Sequence, residues 1–239
     1  MQEDALRWNE RYQHNFMPFE PSAFMEIASS YIKQYVLSKS PMIDTSFTPL
    51  QDSYTSQSLH THPTQMIQDS YNTRYLHHKT FERPLGLDVA CGNGRNAKFL
   101  AQLGLSIDAI DISSVALEYL QDSPHITPIL ADLDTFCLAS QHYDVILNSY
   151  FLDRRLFPAL INALKPHALL LFETFIDIHS QSIKNERILH SGELEQYFSV
   201  ERGFHILYHH IYENKDSHKK VAYPHIVRFI AQYLPKHTQ

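Results

Sequence analysis

A chain of 239 residues that is 44% hydrophobic and 19% charged has material for one α/β domain with decorations. Its net charge of −6 argues against a general nucleic-acid footprint, and two cysteines, Cys91 and Cys137, are too few for a disulfide framework. No apolar run reaches membrane-spanning length, and Met1-Gln2-Glu3-Asp4 lacks the apolar stretch of a signal peptide, so a soluble cytoplasmic protein is expected.

Residues Glu3 to His14 carry Leu6, Trp8, Arg11 and Tyr12 in a short, weakly amphipathic pattern that Pro18 and Pro21 interrupt. From Ser22 the set Phe24, Ile27, Ala28, Tyr31, Ile32 and Tyr35 recurs at helical steps, predicting a helix that ends near Leu37. Residues 1–37 thus read as the N-terminal helical segment of a single domain spanning 1–239. Residues 38–83 are rich in Ser, Thr, Gln, His and Pro without a sustained period. They read either as a mobile polar insertion or as a lid. The α/β core is expected over residues 84–235.

Within that core, Leu85 to Ala90 reads as the first strand and Arg95 to Leu103 as a helix, with Gly104 as its stop. Further strands are expected at Leu105 to Ile110, closed by Asp111, at Ile126 to Leu130, before Asp132, and at Tyr143 to Asn148. Ser113 is placed to cap a helix over Val115 to Gln121, and Pro158 precedes one over Ala159 to Leu164. Ala168 to Thr174, nearly all apolar, suits a central parallel strand. This alternation predicts an α/β fold with a doubly wound, mostly parallel sheet. Gly203 to Tyr212 and Val221 to Tyr233 follow as strands without an intervening helix, so the sheet is expected to end in an antiparallel hairpin.

The stretch Leu85 to Asn96 carries the chemistry. An apolar strand runs into Gly92-Asn93-Gly94, and a helical pattern begins at once. Gly92-x-Gly94-x-x-Ala97 also fits the dinucleotide fingerprint, so the glycines alone leave an NAD(P)-binding oxidoreductase open. Asp88 favours the other reading. A strand-end carboxylate repels a pyrophosphate and holds the ammonium of S-adenosylmethionine. Asp111, Asp132 and Asn148 stand at the ends of the next strands, where ligands of doubly wound sheets lie. Asp111 is placed for the ribose hydroxyls, and Asp132 with the backbone after it for an adenine amino group. Cys91 has no visible base nearby to make it a nucleophile. The paired histidines His60-x-His62, His77-His78 and His209-His210 lack the spaced third ligand of a metal site, so no metal is expected.

These residues carry a resemblance. Leu87-Asp88-Val89-Ala90-Cys91-Gly92-Asn93-Gly94-Arg95-Asn96, Tyr143 to Asn148, and Ala163-Leu164-Lys165-Pro166 leading into Glu173-Thr174-Phe175 resemble a class I S-adenosylmethionine-dependent methyltransferase. Within that class the chain is similar to the tellurite-resistance-type enzymes, with shorter matches at Trp8 to Tyr12 and Ser191 to Leu194. The resemblance spans residues 5–35 and 84–234. It implies a Rossmann-like seven-stranded sheet with its last hairpin reversed, and S-adenosyl-L-methionine as cofactor. The implied cofactor residues are Asp88, Ala90, Cys91, Gly92, Gly94, Arg95, Asn96, Asp111, Ile112, Asp132, Leu133 and Asn148, with Trp8, Arg11 and Tyr12 folding over them. Ala90 replaces the first glycine of the family pattern, and His167-Ala168 replaces the Gly-Gly after Lys-Pro.

The expected activity is methyl transfer to a small-molecule acceptor, a thiol or metalloid oxyanion among the candidates, with Tyr150, Arg154 and Glu173 as candidate catalytic residues. Arg154-Arg155 suits an anionic acceptor, and equally a solvated helix start. Two further rivals stay open at this stage. Asn148-Ser149-Tyr150-Phe151 is a distant likeness of the Asn-Pro-Pro-aromatic motif of amino-group methyltransferases acting on macromolecules, without its prolines. A cofactor-binding sensor without turnover is the other.

Overall fold

A sheet buried on both faces organises the chain. The computed structural model describes residues 2–14, 17–39, 83–178, 188–214 and 225–235. Its strands are β1 (Leu85–Val89), β2 (Ser106–Asp111), β3 (Ile126–Leu130), β4 (Tyr143–Ser149), β5 (Leu164–Asp177), β6 (Leu189–His190), β7 (Phe204–Glu213) and β8 (His225–Tyr233). They lie in the order β3-β2-β1-β4-β5-β8-β7, with the two-residue β6 pairing with β5 off this path. The strands from β3 to β5 pair in parallel, whereas β5–β8 and β7–β8 are antiparallel. This is the doubly wound sheet with a reversed final hairpin. The order reverses across β1 and β4, and the crevice at their carboxyl ends is the topological switch point.

Each face of the sheet buries its own core. Leu87, Val89, Ile146, Leu170 and Phe172 pack with helix Phe157–Ala163 and with Phe198 and Phe204. Ala109, Val145, Leu147, Leu169 and Leu171 pack with helices Phe24–Tyr35 and Arg95–Leu103. Helix Phe24–Tyr35 buries Phe24, Met25, Ala28 and Ile32, one stripe of its surface. A first helix, Gln2–Gln13, precedes it.

Local signals act as expected at the helix ends. Gly104 closes helix Arg95–Leu103 at φ 122, and Ser113 caps helix Ser114–Glu118 by accepting the Ala116 N–H at 3.1 Å. The largest difference is β5, which begins at Leu164 rather than Ala168 and runs for 14 residues. His167 takes φ 69, and the register against β4 shifts between Tyr143 and Val145. His167 thus adopts the left-handed conformation and carries a bulged extension of the strand. Short elements with no hydrophobic period, β6 and helix Glu193–Tyr197, were not foreseen.

The described residues fall in one unit, Met1–Ser40 with Arg83–Gln239. The expectation of a lid or mobile insertion concerns residues of which 40–82 lie outside those described. No described helix is long and apolar enough to cross a membrane. Among the described residues no His, Cys, Asp and Glu side chains gather as a metal site.

Candidate active site

The turn after β1 is built from backbone conformations that few sequences permit. Ala90, Gly92 and Gly94 take φ 52, 58 and 70. A Cβ on Gly92 would overlap the Tyr12 hydroxyl, and one on Gly94 would overlap Leu120. These are the two positions where glycine is required for both space and conformation. The Cys91 N–H donates to Ile110 O at 2.9 Å, tying the turn to β2.

Two acids flank this turn in different states. Asp111 accepts the Gly92 N–H at Oδ2 and the Ser113 N–H at Oδ1, both at 2.8 Å. Burial nevertheless raises its pKa above the ordinary carboxylate value. Asp88 is 2% exposed, and its Oδ2 has no hydrogen-bond partner among the described residues. Burial, with the neighbouring charge of Asp111 second, pushes its pKa up to about 7. Asn148 is 1% exposed, and neither end of its amide has a partner among the described residues. Native proteins seldom leave such groups unpaired, which makes Asp88 and Asn148 candidate site residues.

The N-terminal residues close over the turn. Asn9 Oδ1 accepts from Ser113 Oγ at 2.7 Å and from the Val115 N–H at 3.3 Å. Tyr12 is buried against Gly92, and burial, with Asp111 second, raises the pKa of its phenol. Trp8 lies 6.2 Å from the Tyr12 ring, with the Arg11 guanidinium 4.9 Å from its centroid. A strap then crosses the helix start. Asn93 Nδ2 donates to Pro18 O at 3.0 Å, Arg95 Nη1 to Glu20 O at 3.2 Å, and Asn96 Oδ1 accepts the Ser22 N–H at 2.9 Å. Arg95 and Asn96 therefore hold the strap. The Cys91 thiol, raised well up by burial and next by Asp88, stays protonated.

Asp132 and Leu133 form a separate turn at the end of β3. Asp132 Oδ1 accepts the Asp134 N–H at 2.9 Å, while Leu133 and Ile112 are half-buried. On the other side of β1, Tyr150 follows β4 at φ 57, with its ring 5.2 Å from Phe175 and its N–H donated to Glu173 O at 2.7 Å. Glu173 is fully buried and its carboxylate accepts from Arg228 Nε at 2.9 Å. Arg154 is paired with Glu193 (Nη2–Oε2 2.8 Å) and donates to Ile188 O at 2.8 Å. Arg155 is exposed and bonded to Asp153 and Asp134.

Sequence reasoning missed Asn9, Ser22 and Arg228. Arg228 had a readable signal, a cation inside the apolar run Ile226 to Ala231, the same anomaly that singled out Asp88. Asn9 and Ser22 act only through partners distant in the chain, and nothing local marks them.

Residues 87–167 match the family model described as a methyltransferase domain. No curated protein matches the chain. Among solved structures the cyclase SpnF is 14% identical, covers 92% of this chain and 99% of its own, and superposes with a TM-score of 0.55. TehB from Haemophilus influenzae is 16% identical over 75% of this chain and 64% of its own, with a TM-score of 0.53. The 1,6-didemethyltoxoflavin-N1-methyltransferase of Burkholderia thailandensis, solved with 1,6-didemethyltoxoflavin and S-adenosylhomocysteine bound, is 12% identical over 75% and 93%, at 0.51. Residues 87–167 thus match a methyltransferase-domain model, and the chain shares its fold with a methyltransferase solved with S-adenosylhomocysteine bound.

Proposed function

We propose that this protein is an S-adenosylmethionine-dependent methyltransferase acting on a small molecule. The observation that carries the reading is Asp88, a buried carboxylate with an unpartnered oxygen beside a turn whose glycines leave no room for side chains. A cation with N–H donors suits that oxygen, and a pyrophosphate does not.

The residues present fit the cofactor. Asp88 would hold its ammonium, and Asp111, oriented by the Gly92 and Ser113 N–H groups, would hold the ribose. Asp132 and Leu133 would face the adenine, and Asn148, on the opposite face of the sheet from Asp88, would meet the ligand at the end of β4. Trp8, Arg11 and Tyr12 on the N-terminal helix would cover the site and exclude water. S-adenosylmethionine supplies a methyl group already activated by its sulfonium, so the protein's task is alignment. Tyr150, held at φ 57 beyond β4, is the side chain we place beside the acceptor. Arg154 is already paired with Glu193, which leaves it a weaker candidate for binding an anion. An acceptor ionised near neutral pH, a thiolate or metalloid oxyanion as in a tellurite-resistance-type enzyme, needs no strong base.

Retention on immobilised S-adenosylhomocysteine, competed by free S-adenosylhomocysteine and not by NAD, is the expected result. Elution by NAD alone would favour the oxidoreductase reading instead.

A further inference from the structure

Glu173 lies within β5, level with the end of β4, and among the described residues it is the buried acid whose two carboxylate oxygens are both engaged by side chains. Its Oε2 accepts from the Ser22 hydroxyl and from Ser149 Oγ, the latter at 3.4 Å, and its Oε1 accepts from Arg228 Nε at 2.9 Å. Arg228 is itself held, its guanidinium 4.7 Å from the Tyr212 ring centroid. Both oxygens are turned to protein donors and the side chain is fully buried, so the carboxylate is not presented to a substrate.

The same carboxylate sits between the two halves of the site. Ser22 gives its hydroxyl to Glu173 and its backbone N–H to Asn96 Oδ1, in the first turn of the helix that leaves the glycine turn. The Phe24 N–H donates to Ser22 Oγ at 3.1 Å and fixes its orientation. From the Glu173 backbone, the carbonyl accepts the N–H of Tyr150. Tyr150 is a non-glycine residue in the left-handed region, a conformation that persists only where neighbours enforce it.

We infer that Glu173 is a positioning residue, not the proton acceptor: with Ser22 and Arg228 it forms a clasp that pins the Pro18–Ser22 strap onto the cofactor turn and holds Tyr150 at the acceptor side. The strap then depends on one buried carboxylate, while the backbone carbonyl of the same residue orients Tyr150. The inference rests on the function proposed above.

The test is the dissociation constant and off-rate of S-adenosylhomocysteine on the full chain. Ser22→Ala and Glu173→Gln each raise the dissociation constant about tenfold, mainly through the off-rate. Ser22→Thr, which keeps the hydroxyl, stays within about twofold of the wild type, and the Ser22→Ala/Glu173→Gln pair is no worse than either single change. Unchanged binding in Ser22→Ala, a Ser22→Thr as weak as the alanine, or additive losses in the double variant would overturn the clasp. Where Glu173→Gln does not fold, the two Ser22 variants decide. A wild-type protein that fails to bind S-adenosylhomocysteine overturns the proposed function along with the clasp, whereas tight wild-type binding with indifferent variants overturns the clasp alone.

Discussion

Asp88 and Asn148 stand on neighbouring strands at the switch point and face opposite sides of the sheet. Asp88 is level with Leu147, and Val89 with Asn148. Leu147 belongs to one core and Val89 to the other, so alternation sends the two polar side chains apart. Each is buried with a polar atom unpartnered among the described residues. Such groups cost on the order of 1–3 kcal/mol each when left unsatisfied. Both polar groups are thus kept at the expense of stability, a cost that a bound ligand would offset under the function proposed above.

That arrangement sets a pH dependence. Burial raises Asp88 from 3.8 to about 7, so near neutral pH the ligand-free protein holds a mixture of both forms. Only the carboxylate attracts an ammonium. Titration calorimetry should show affinity for S-adenosylhomocysteine rising from pH 6 through the folded pKa of about 7 and levelling above it. Stability should move the other way. The native state binds more protons than the unfolded chain between the two pKa values, so the stabilisation present below 3.8 is lost as pH rises through about 7. Denaturant melts of the ligand-free protein should show this fall, and Asp88→Asn should flatten it.

Gly92→Ala should weaken cofactor binding by displacing Tyr12. The added methyl meets the Tyr12 hydroxyl, and an alanine at φ 58 costs about 1–2 kcal/mol of its own. Loss of S-adenosylhomocysteine affinity by about tenfold or more, with Tyr12→Ala producing a similar loss, is the calorimetric outcome expected.

Arg154→Met should act on stability and leave the cofactor alone. The Arg154–Glu193 pair joins the turn before helix Phe157–Ala163 to the start of helix Glu193–Tyr197, and Arg154 also holds Ile188 O. A loss of about 1–3 kcal/mol in a urea melt, with unchanged S-adenosylhomocysteine affinity, follows from leaving those acceptors unpaired.

Much of this architecture was legible because period and charge are local signals. The apolar runs of β1 to β4 and the polar break between β7 and β8 are written in consecutive residues, as are Gly92, Gly94 and the anomalous Asp88. The start of β5 was hidden because Pro166 and His167 resemble a turn and form a bulge. The strap was hidden for a different reason. Ser22 and Glu173 are 151 positions apart, so a contact that organises the site leaves no trace in the pattern around either residue. Glu173 was conspicuous as a buried acid, but its role depends on Arg228, and the antiparallel register of β5 and β8 is what sets them side by side.

The central claim is that the Asp88 carboxylate holds the amino-acid end of the cofactor. Calorimetry at pH 8 on wild type and Asp88→Asn, each titrated with S-adenosylhomocysteine and with 5′-methylthioadenosine, which lacks that end, tests it directly. Wild type should prefer S-adenosylhomocysteine by about a hundredfold, and Asp88→Asn should lose most of that preference while binding 5′-methylthioadenosine as before. An Asp88→Asn protein that keeps the full preference would contradict the account.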